Sequence, residues 1–295
     1  MGPLLCLLSA VCFGAMSIFG KFAYDAGVSP SALLLVRFVL AAVVLAALLR
    51  LWPSRPERRP PGRAVAVALG LGAVGFATQA TLYFEALSVM DASLLSLILY
   101  TYPLMVTAGA VLLRRDRMTR GRAIALAVAS AGTVLVLAGA GGGALNPLGV
   151  ALGFGSALTY TIYILVSDRI VHDMPPLRLA TLVMTGAAAA LTAKALLTGG
   201  VELTFRPAGW FWVAGIAIVS TVLATLLFFA GLRRTGPSTA AILSTVEPFV
   251  TAALAALTLG EFLAPAQLAG GLLLLASVVV VQMRPERVVE PVPVA

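Results

Sequence analysis

The chain has 295 residues, 60% of them hydrophobic and 11% charged, with a mean hydropathy of +1.03. That composition excludes a soluble protein, and the short connections between its apolar runs leave no room for an aqueous domain. A net charge of +8 would suit nucleic acid, but the basic residues are scattered over several short loops. Membrane topology and attraction to anionic lipid account for such scatter, so lipid is the expected partner and nucleic acid is not.

Breaks near Tyr24–Pro30, Leu51–Arg63, Ser88–Asp91, Arg114–Arg122, Ala140–Pro147, Asp168–Pro176, Gly199–Pro207, Arg233–Pro237 and Leu259–Pro265 separate ten apolar stretches. Each is about 20 residues, the length that crosses a hydrocarbon core as an α-helix. Helix one lacks a basic leader and is too long for a cleaved signal, so it reads as a retained span. Cys6 and Cys12 lie on that helix six positions apart, too far to bond each other, and read as small core residues. Alternating the loops from an inside Met1 places 16 of the 20 basic residues inside. These are Arg50, Arg55, Arg58, Arg59, Arg63, Arg114, Arg115, Arg117, Arg120, Arg122, Arg169, Arg178, Arg233, Arg234, Arg284 and Arg287. The positive-inside rule then puts both termini in the cytoplasm and the chain in the inner (plasma) membrane as a multi-pass protein.

The halves repeat. Tyr83-Phe84-Glu85-Ala86-Leu87, Tyr102-Pro103 and Arg115-Asp116 return as Phe228-Phe229-Ala230-Gly231-Leu232, Glu247-Pro248 and Gly260-Glu261, at a constant offset of 145 positions. Leu8-Ser9-Ala10-Val11-Cys12-Phe13 has a weaker echo in Gly155-Ser156-Ala157-Leu158-Thr159-Tyr160. Helices one to five therefore correspond to helices six to ten. Five is odd, so the second half must enter from the opposite side. The charges agree: the loop after helix four is rich in Arg and its counterpart after helix nine has none. The loop after helix three has no basic residue, whereas its counterpart carries Arg233 and Arg234.

The expected fold is an all-α integral membrane protein with ten transmembrane helices, arranged as two inverted-topology five-helix repeats around a central cavity. Residues 1–295 form a single membrane domain, with repeat one at about 1–140, repeat two at about 146–284 and a cytoplasmic tail at 285–295. Inverted repeats are typical of secondary transporters, which bind substrate near the midplane between the halves.

Over its whole length the chain resembles the drug/metabolite transporter superfamily, in its ten-helix branch with two EamA-type repeats. The residues that carry the resemblance are the aromatic-rich end of helix three, the doubled mid-helix Pro103 and Pro248, and Leu259-Gly260-Glu261. Arg114-Arg115-Asp116 keeps only the acid of that last element. Within the superfamily the chain is most similar to aromatic amino-acid exporters of the YddG type, which implies an exporter working by alternating access.

Pro103 and Pro248 each remove a backbone donor halfway along a helix, so helices four and nine should kink and free carbonyls at Leu99 and Ser244. Such backbone is tolerated at membrane depth where it lines a cavity, although a purely structural kink is the bland reading. Ser93, Ser96, Tyr100 and Thr107 share a face with Pro103, and Ser244, Glu247 and Thr251 share one with Pro248. Ser and Thr on these faces serve equally as helix–helix glue. Tyr100 and Tyr102 combine apolar area with a polar tip, which suits an organic substrate. Glu247 is the lone acid near the midplane, and could carry a proton, hold a substrate ammonium or make a structural hydrogen bond.

Thr78, Gln79 and Tyr83 interrupt the apolar run of helix three, with Glu85 nearer its outer end as a second candidate for proton coupling. Helix six carries Ser156, Thr159, Tyr160 and Tyr163 beside Gly153 and Gly155, and helix one has Gly14, Ser17 and Gly20. Both read as central helices, and close packing explains the glycines equally well. Lys21 and Arg37 flank the first outer loop and can snorkel outward. Arg37 lies deeper and calls for an acid partner, for which Glu85 is a candidate. Gly70-Leu-Gly72-Ala-Val-Gly75 matches G-x-G-x-x-G inside a helix, where it means small-residue packing rather than a dinucleotide site.

The expectation is export of amino acids, aromatic or otherwise apolar, or of similar small metabolites. A multidrug exporter of cations is the alternative, and an intramembrane lipid-modifying enzyme a more distant one. No catalytic residue, cofactor or metal is expected; the partners are the small-molecule substrate and lipid, and a monomer is favoured.

Overall fold

A computed structural model describes residues 1–51, 61–113, 120–139, 146–167, 174–235 and 243–283, and among them every regular element is a helix. The expected tail at 285–295 and the Arg115-Asp116 element lie outside the described residues. Six helices are long and apolar enough to cross a membrane: Gly2–Asp25, Pro30–Leu51, Gly62–Val89, Pro147–Val166, Leu177–Leu197 and Pro207–Phe228. Four shorter apolar helices, Ala92–Val106, Ala123–Gly139, Glu247–Thr258 and Pro265–Val280, fall where helices four, five, nine and ten are expected.

In chain order the elements are α1 (Gly2–Asp25), α2 (Pro30–Leu51), α3 (Gly62–Gly70), α4 (Ala77–Val89), α5 (Ala92–Leu99), α6 (Tyr102–Leu112) and α7 (Arg120–Gly139). There follow α8 (Pro147–Ser167), α9 (Pro176–Leu197), α10 (Pro207–Ala217), α11 (Ala224–Thr235), α12 (Glu247–Thr258) and α13 (Pro265–Met283). One π-helical turn, Leu71–Phe76, joins α3 to α4, and another, Ile218–Leu223, joins α10 to α11. Both lie inside long apolar helices with no proline nearby, and they stand at nearly equivalent places in the two halves.

Helices four and nine depart from the expected kink. Helix four stops at Leu99 and restarts at Tyr102, with Pro103 in the first turn of α6. Thr245 and Val246 form a turn before α12, whose first turn holds Pro248. Proline lacks an N–H and fits a helix start, where that donor has no intrahelical partner anyway. Each proline thus begins a new helix rather than bending an old one.

The first helix of each half packs on the other half. Helix α1 lies against α10, α11 and α12, while α8 lies against α4, α5 and α6. Two related hydrogen bonds tie these crossings: Ser9 Oγ donates to the Ala224 carbonyl (2.8 Å), and Ser156 Oγ to the Gln79 carbonyl (3.1 Å). Helix α2 pairs with α9, and α7 with α13. Within the α7–α13 pair Gly132 and Gly270 meet backbone to backbone, a close approach that a Cβ on either would block. Small residues at such seams let dispersion contacts form where lipid offers no hydrophobic drive.

One end of the bundle gathers the chain segments 26–29, 90–91, 146–149, 198–206 and 259–264. Lys21 Nζ donates to the Met90 carbonyl (2.7 Å), Arg206 N–H to the Ala26 carbonyl (3.1 Å), and Gly149 packs on Val89 and Met90. Helix α1 ends there and α8 begins there.

Candidate substrate site

The break in helix four turns Tyr100 inward. Its ring is buried, and its hydroxyl reaches the Ser244 carbonyl at 2.6 Å and Glu247 Oε2 at 2.9 Å. Both breaks therefore meet, one half contributing the phenol and the other the carbonyl and the acid. Thr251 Oγ1 donates to the Gly14 carbonyl (3.0 Å), which holds α12 against the small-residue face of α1.

From Tyr100 a run of rings crosses the molecule. Tyr100 and Tyr102 meet edge-on at 5.8 Å between centroids, Tyr102 and Tyr160 at 4.7 Å. Tyr160 and Tyr163 stack at 5.9 Å, Tyr163 lies 5.6 Å from Phe76, and Phe76 meets Phe38 edge-on at 5.5 Å. Aromatic pairs favour this range of separations and offset or edge-on geometries. The rings come from the helix-four break, α8, the first π-turn and α2, so parts of both halves hold the run in place.

At its far end lies Arg37, only 3% exposed. Its guanidinium sits 5.0 Å from the Phe38 centroid and 5.3 Å from that of Phe84, and its Nε donates to Thr221 Oγ1 at 2.9 Å. Thr221 Oγ1 donates in turn to the Ile216 carbonyl five residues back (2.9 Å), which the π-turn leaves accessible. The expectation that Arg37 snorkels or pairs with Glu85 is corrected. Glu85 is half-buried, and the one ion pair among the described residues joins Lys21 to Glu261 at 4.0 Å. Arg37 sits too deep to reach the surface, and the second half offers it a hydroxyl instead of an acid.

The other expected positions divide. Tyr83 is buried; its hydroxyl shares a hydrogen bond with Ser17 Oγ (2.5 Å), and its ring packs edge-on against Phe84. Gln79 and Ser156 are buried and bonded to each other, Gln79 Nε2 donating at 3.0 Å. Ser96 donates within its own helix to Ser93 O (2.8 Å), and Thr159 to Gly155 O (2.8 Å). Thr78 is exposed, a step of about 100° round the helix from Gln79. The structure thus brings Tyr100, Tyr160, Tyr163, Ser244 and Glu247 to one cluster and leaves Thr78 outside it. Arg37, Phe38 and Phe76 join that cluster without having been expected there, and Thr221, one of the polar residues (Ser220, Thr221, Thr225) that helix eight offers opposite Thr78 and Gln79, joins it through Arg37.

Two open spaces lie elsewhere. A cleft of about 240 Å³ opens at the loop end beside Ser31, Thr81, Lys194 and Glu202. An apolar groove of about 330 Å³ runs along Phe19, Trp212 and Ile218. At the same loop end, Gly260 adopts a φ of 68°, which turns the chain so that Glu261 Oε2 accepts from the Ser93 N–H (3.3 Å). Burial pushes the Glu261 carboxyl above its ordinary value, and the Ser93 amide and Lys21 partly offset this. Among the described residues no His, Cys, Asp or Glu cluster could hold a metal.

The EamA-like transporter family model matches residues 1–138 and again residues 147–283. The chain belongs to this family. The chain is 29% identical to the uncharacterized transporter YcbK of Bacillus subtilis (strain 168) over 280 residues, covering 91% of this chain and 88% of that one. An uncharacterized transporter of Archaeoglobus fulgidus is 28% identical over 284 residues, 95% of each chain. A solved crystal structure with 17% sequence identity superposes with a TM-score of 0.67 over 96% of both chains, a likeness of fold. This EamA-family chain is a multi-pass membrane protein with a transporter's role, which implies a small-molecule substrate.

Proposed function

We propose that this transporter exports amino acids, chiefly aromatic or otherwise apolar ones, from the cytoplasm by alternating access. The carrying observation is the ring run from Phe38 to Tyr100 that ends on the Glu247 carboxylate. Rings offer stacking surface to an aromatic side chain, and a carboxylate can hold an ammonium. In this structure the rings pack on one another, which suits an occluded state in which separating the halves would uncover them. Tyr100 has one hydroxyl proton for two acceptors, so a proton on Glu247 would complete the hydrogen-bond set. Glu247 is accordingly the proposed proton carrier.

The proposal includes ten helices in two inverted repeats within one membrane domain, both termini cytoplasmic, as a monomer in the inner membrane. The reading is supported by the two family matches, by the paired π-turns and paired breaks, and by α1 ending where α8 begins. The proposed orientation is supported by the positions of the basic residues in the sequence.

The test is export from proteoliposomes loaded with Phe, Trp, Ala or Thr, for the wild-type protein and Tyr160→Ala. One lost ring contact, on the order of 0.5–1.5 kcal/mol, should lower Phe and Trp export roughly 2- to 12-fold while sparing Ala and Thr. Equal losses for all four would make Tyr160 a packing residue. No flux of any of them would remove the amino-acid reading.

A further inference from the structure

We infer that Arg37 is the anion-binding residue of this site and takes the carboxylate of the transported molecule, an assignment that rests on the amino-acid reading above. A guanidinium carries five N–H donors in a planar fork. Among the described residues its one hydrogen bond is from Nε to Thr221, so the edge formed by the two terminal nitrogens is left without a protein acceptor. A buried cation without an acid is costly in a membrane interior, and two ring faces offset only part of that cost. Carboxylate geometry matches the free edge, because two parallel N–H···O bonds form at once.

Position agrees with this role. Pro30 and Thr258 both lie at the loop end of the bundle. Arg37 lies seven residues below the first and Glu247 eleven below the second, about 10 Å and 16 Å deep at 1.5 Å per residue. The cation and the acid therefore both stand well inside the bundle, about one helical turn apart in depth, without pairing with each other. An acid and a base held apart inside one apolar bundle complement a zwitterion, with Glu247 facing the ammonium and Arg37 the carboxylate. The second π-turn is then part of the binding site, because Thr221 fixes the guanidinium through Nε and leaves its other edge free.

The test is equilibrium binding to purified protein with three probes of one ring size: phenylalanine, phenethylamine (no carboxylate) and 3-phenylpropionate (no ammonium). The wild-type protein should bind phenylalanine roughly 10- to 100-fold more tightly than phenethylamine, the range for hydrogen bonds to a charged group. Arg37→Gln should erase that preference while leaving phenethylamine binding unchanged, which also shows that the variant folds. Arg37→Lys should restore part of it. Equal affinity of the wild-type protein for phenylalanine and phenethylamine overturns the assignment, as does loss of all binding in Arg37→Gln with retention in Arg37→Lys. Arg37-dependent binding of phenylpropionate that gains nothing from the ammonium keeps Arg37 as the anion site and removes the amino-acid reading. Binding of none of the three overturns both.

Discussion

The two π-turns occupy corresponding places in the two halves and do opposite things. The first, Leu71–Phe76, is a packing joint: a Cβ on Gly72 would lie 1.9 Å from the Val183 carbonyl oxygen, and one on Gly186 2.1 Å from that of Leu69. The second, Ile218–Leu223, is polar, presenting Ser220 and Thr221, of which Thr221 holds Arg37. The helix breaks differ in the same way, because Tyr102 precedes the first proline and Glu247 the second. One turn and one break thus serve contact, and the other turn and break carry a hydroxyl and an acid. The cluster between them is chemically lopsided, with rings from α2, the first π-turn, the helix-four break and α8, and the acid from α12.

The sharpest way to break the comparison is to place alanine at Gly72. No side chain can yield there, because the obstacle is the backbone of α9, so the helices must move apart. Overpacking of this kind costs about 1–3 kcal/mol, occasionally more. Gly72→Ala should sharply lower the thermal midpoint in detergent, or leave no monodisperse protein in size-exclusion chromatography. A variant as heat-stable as the wild-type protein would show that the first π-turn is not a joint under close contact.

Next in size is the contrast between the breaks. Glu247→Gln should reduce flux and remove its pH dependence between pH 5 and 8, an estimate that follows from assigning the proton to the single acid of the cluster. Tyr102→Phe removes a hydroxyl for which the described residues provide no hydrogen-bond partner, and should leave flux and its pH profile alone. Proteoliposome uptake across that pH range checks both. A pH profile that persists in Glu247→Gln would move proton coupling elsewhere and leave Glu247 as a structural partner of Tyr100.

These contrasts mark what the sequence could and could not reveal. The apolar stretches, the doubled prolines and Glu247 were legible because length, missing donors and a lone acid in an apolar run each leave a local signature. The π-turns were not, since a one-residue register shift inside a helix requires neither proline nor a polar residue. Arg37 was misread for a related reason. Seven residues below a helix end, snorkelling and burial look alike in sequence, and the partner that decides between them, Thr221, is 184 positions away. The ring run was half legible: the tyrosines drew notice as amphipathic groups, but Phe38 and Phe76 are indistinguishable from core residues until their neighbours are known. Gln79, Ser96 and Thr159 look like cavity linings by composition, yet each satisfies itself on nearby backbone or a neighbouring helix.

The smallest expected effect is at the second π-turn, where alanine should do no harm. Ser220 is 0% exposed and its hydroxyl finds no hydrogen-bond partner among the described residues. A buried polar group left unmet costs about 1–3 kcal/mol, whereas deleting its oxygen forfeits only a few dispersion contacts. Ser220→Ala should therefore be neutral or stabilising by up to about 1 kcal/mol, and it should leave Phe export unchanged. The same residue type introduced at two corresponding turns would then loosen one half and leave the other intact. If Ser220→Ala instead destabilises the protein as much as Gly72→Ala does, the hydroxyl is bonded in the membrane. The second π-turn would then hold a polar contact beyond the one between Thr221 and Arg37.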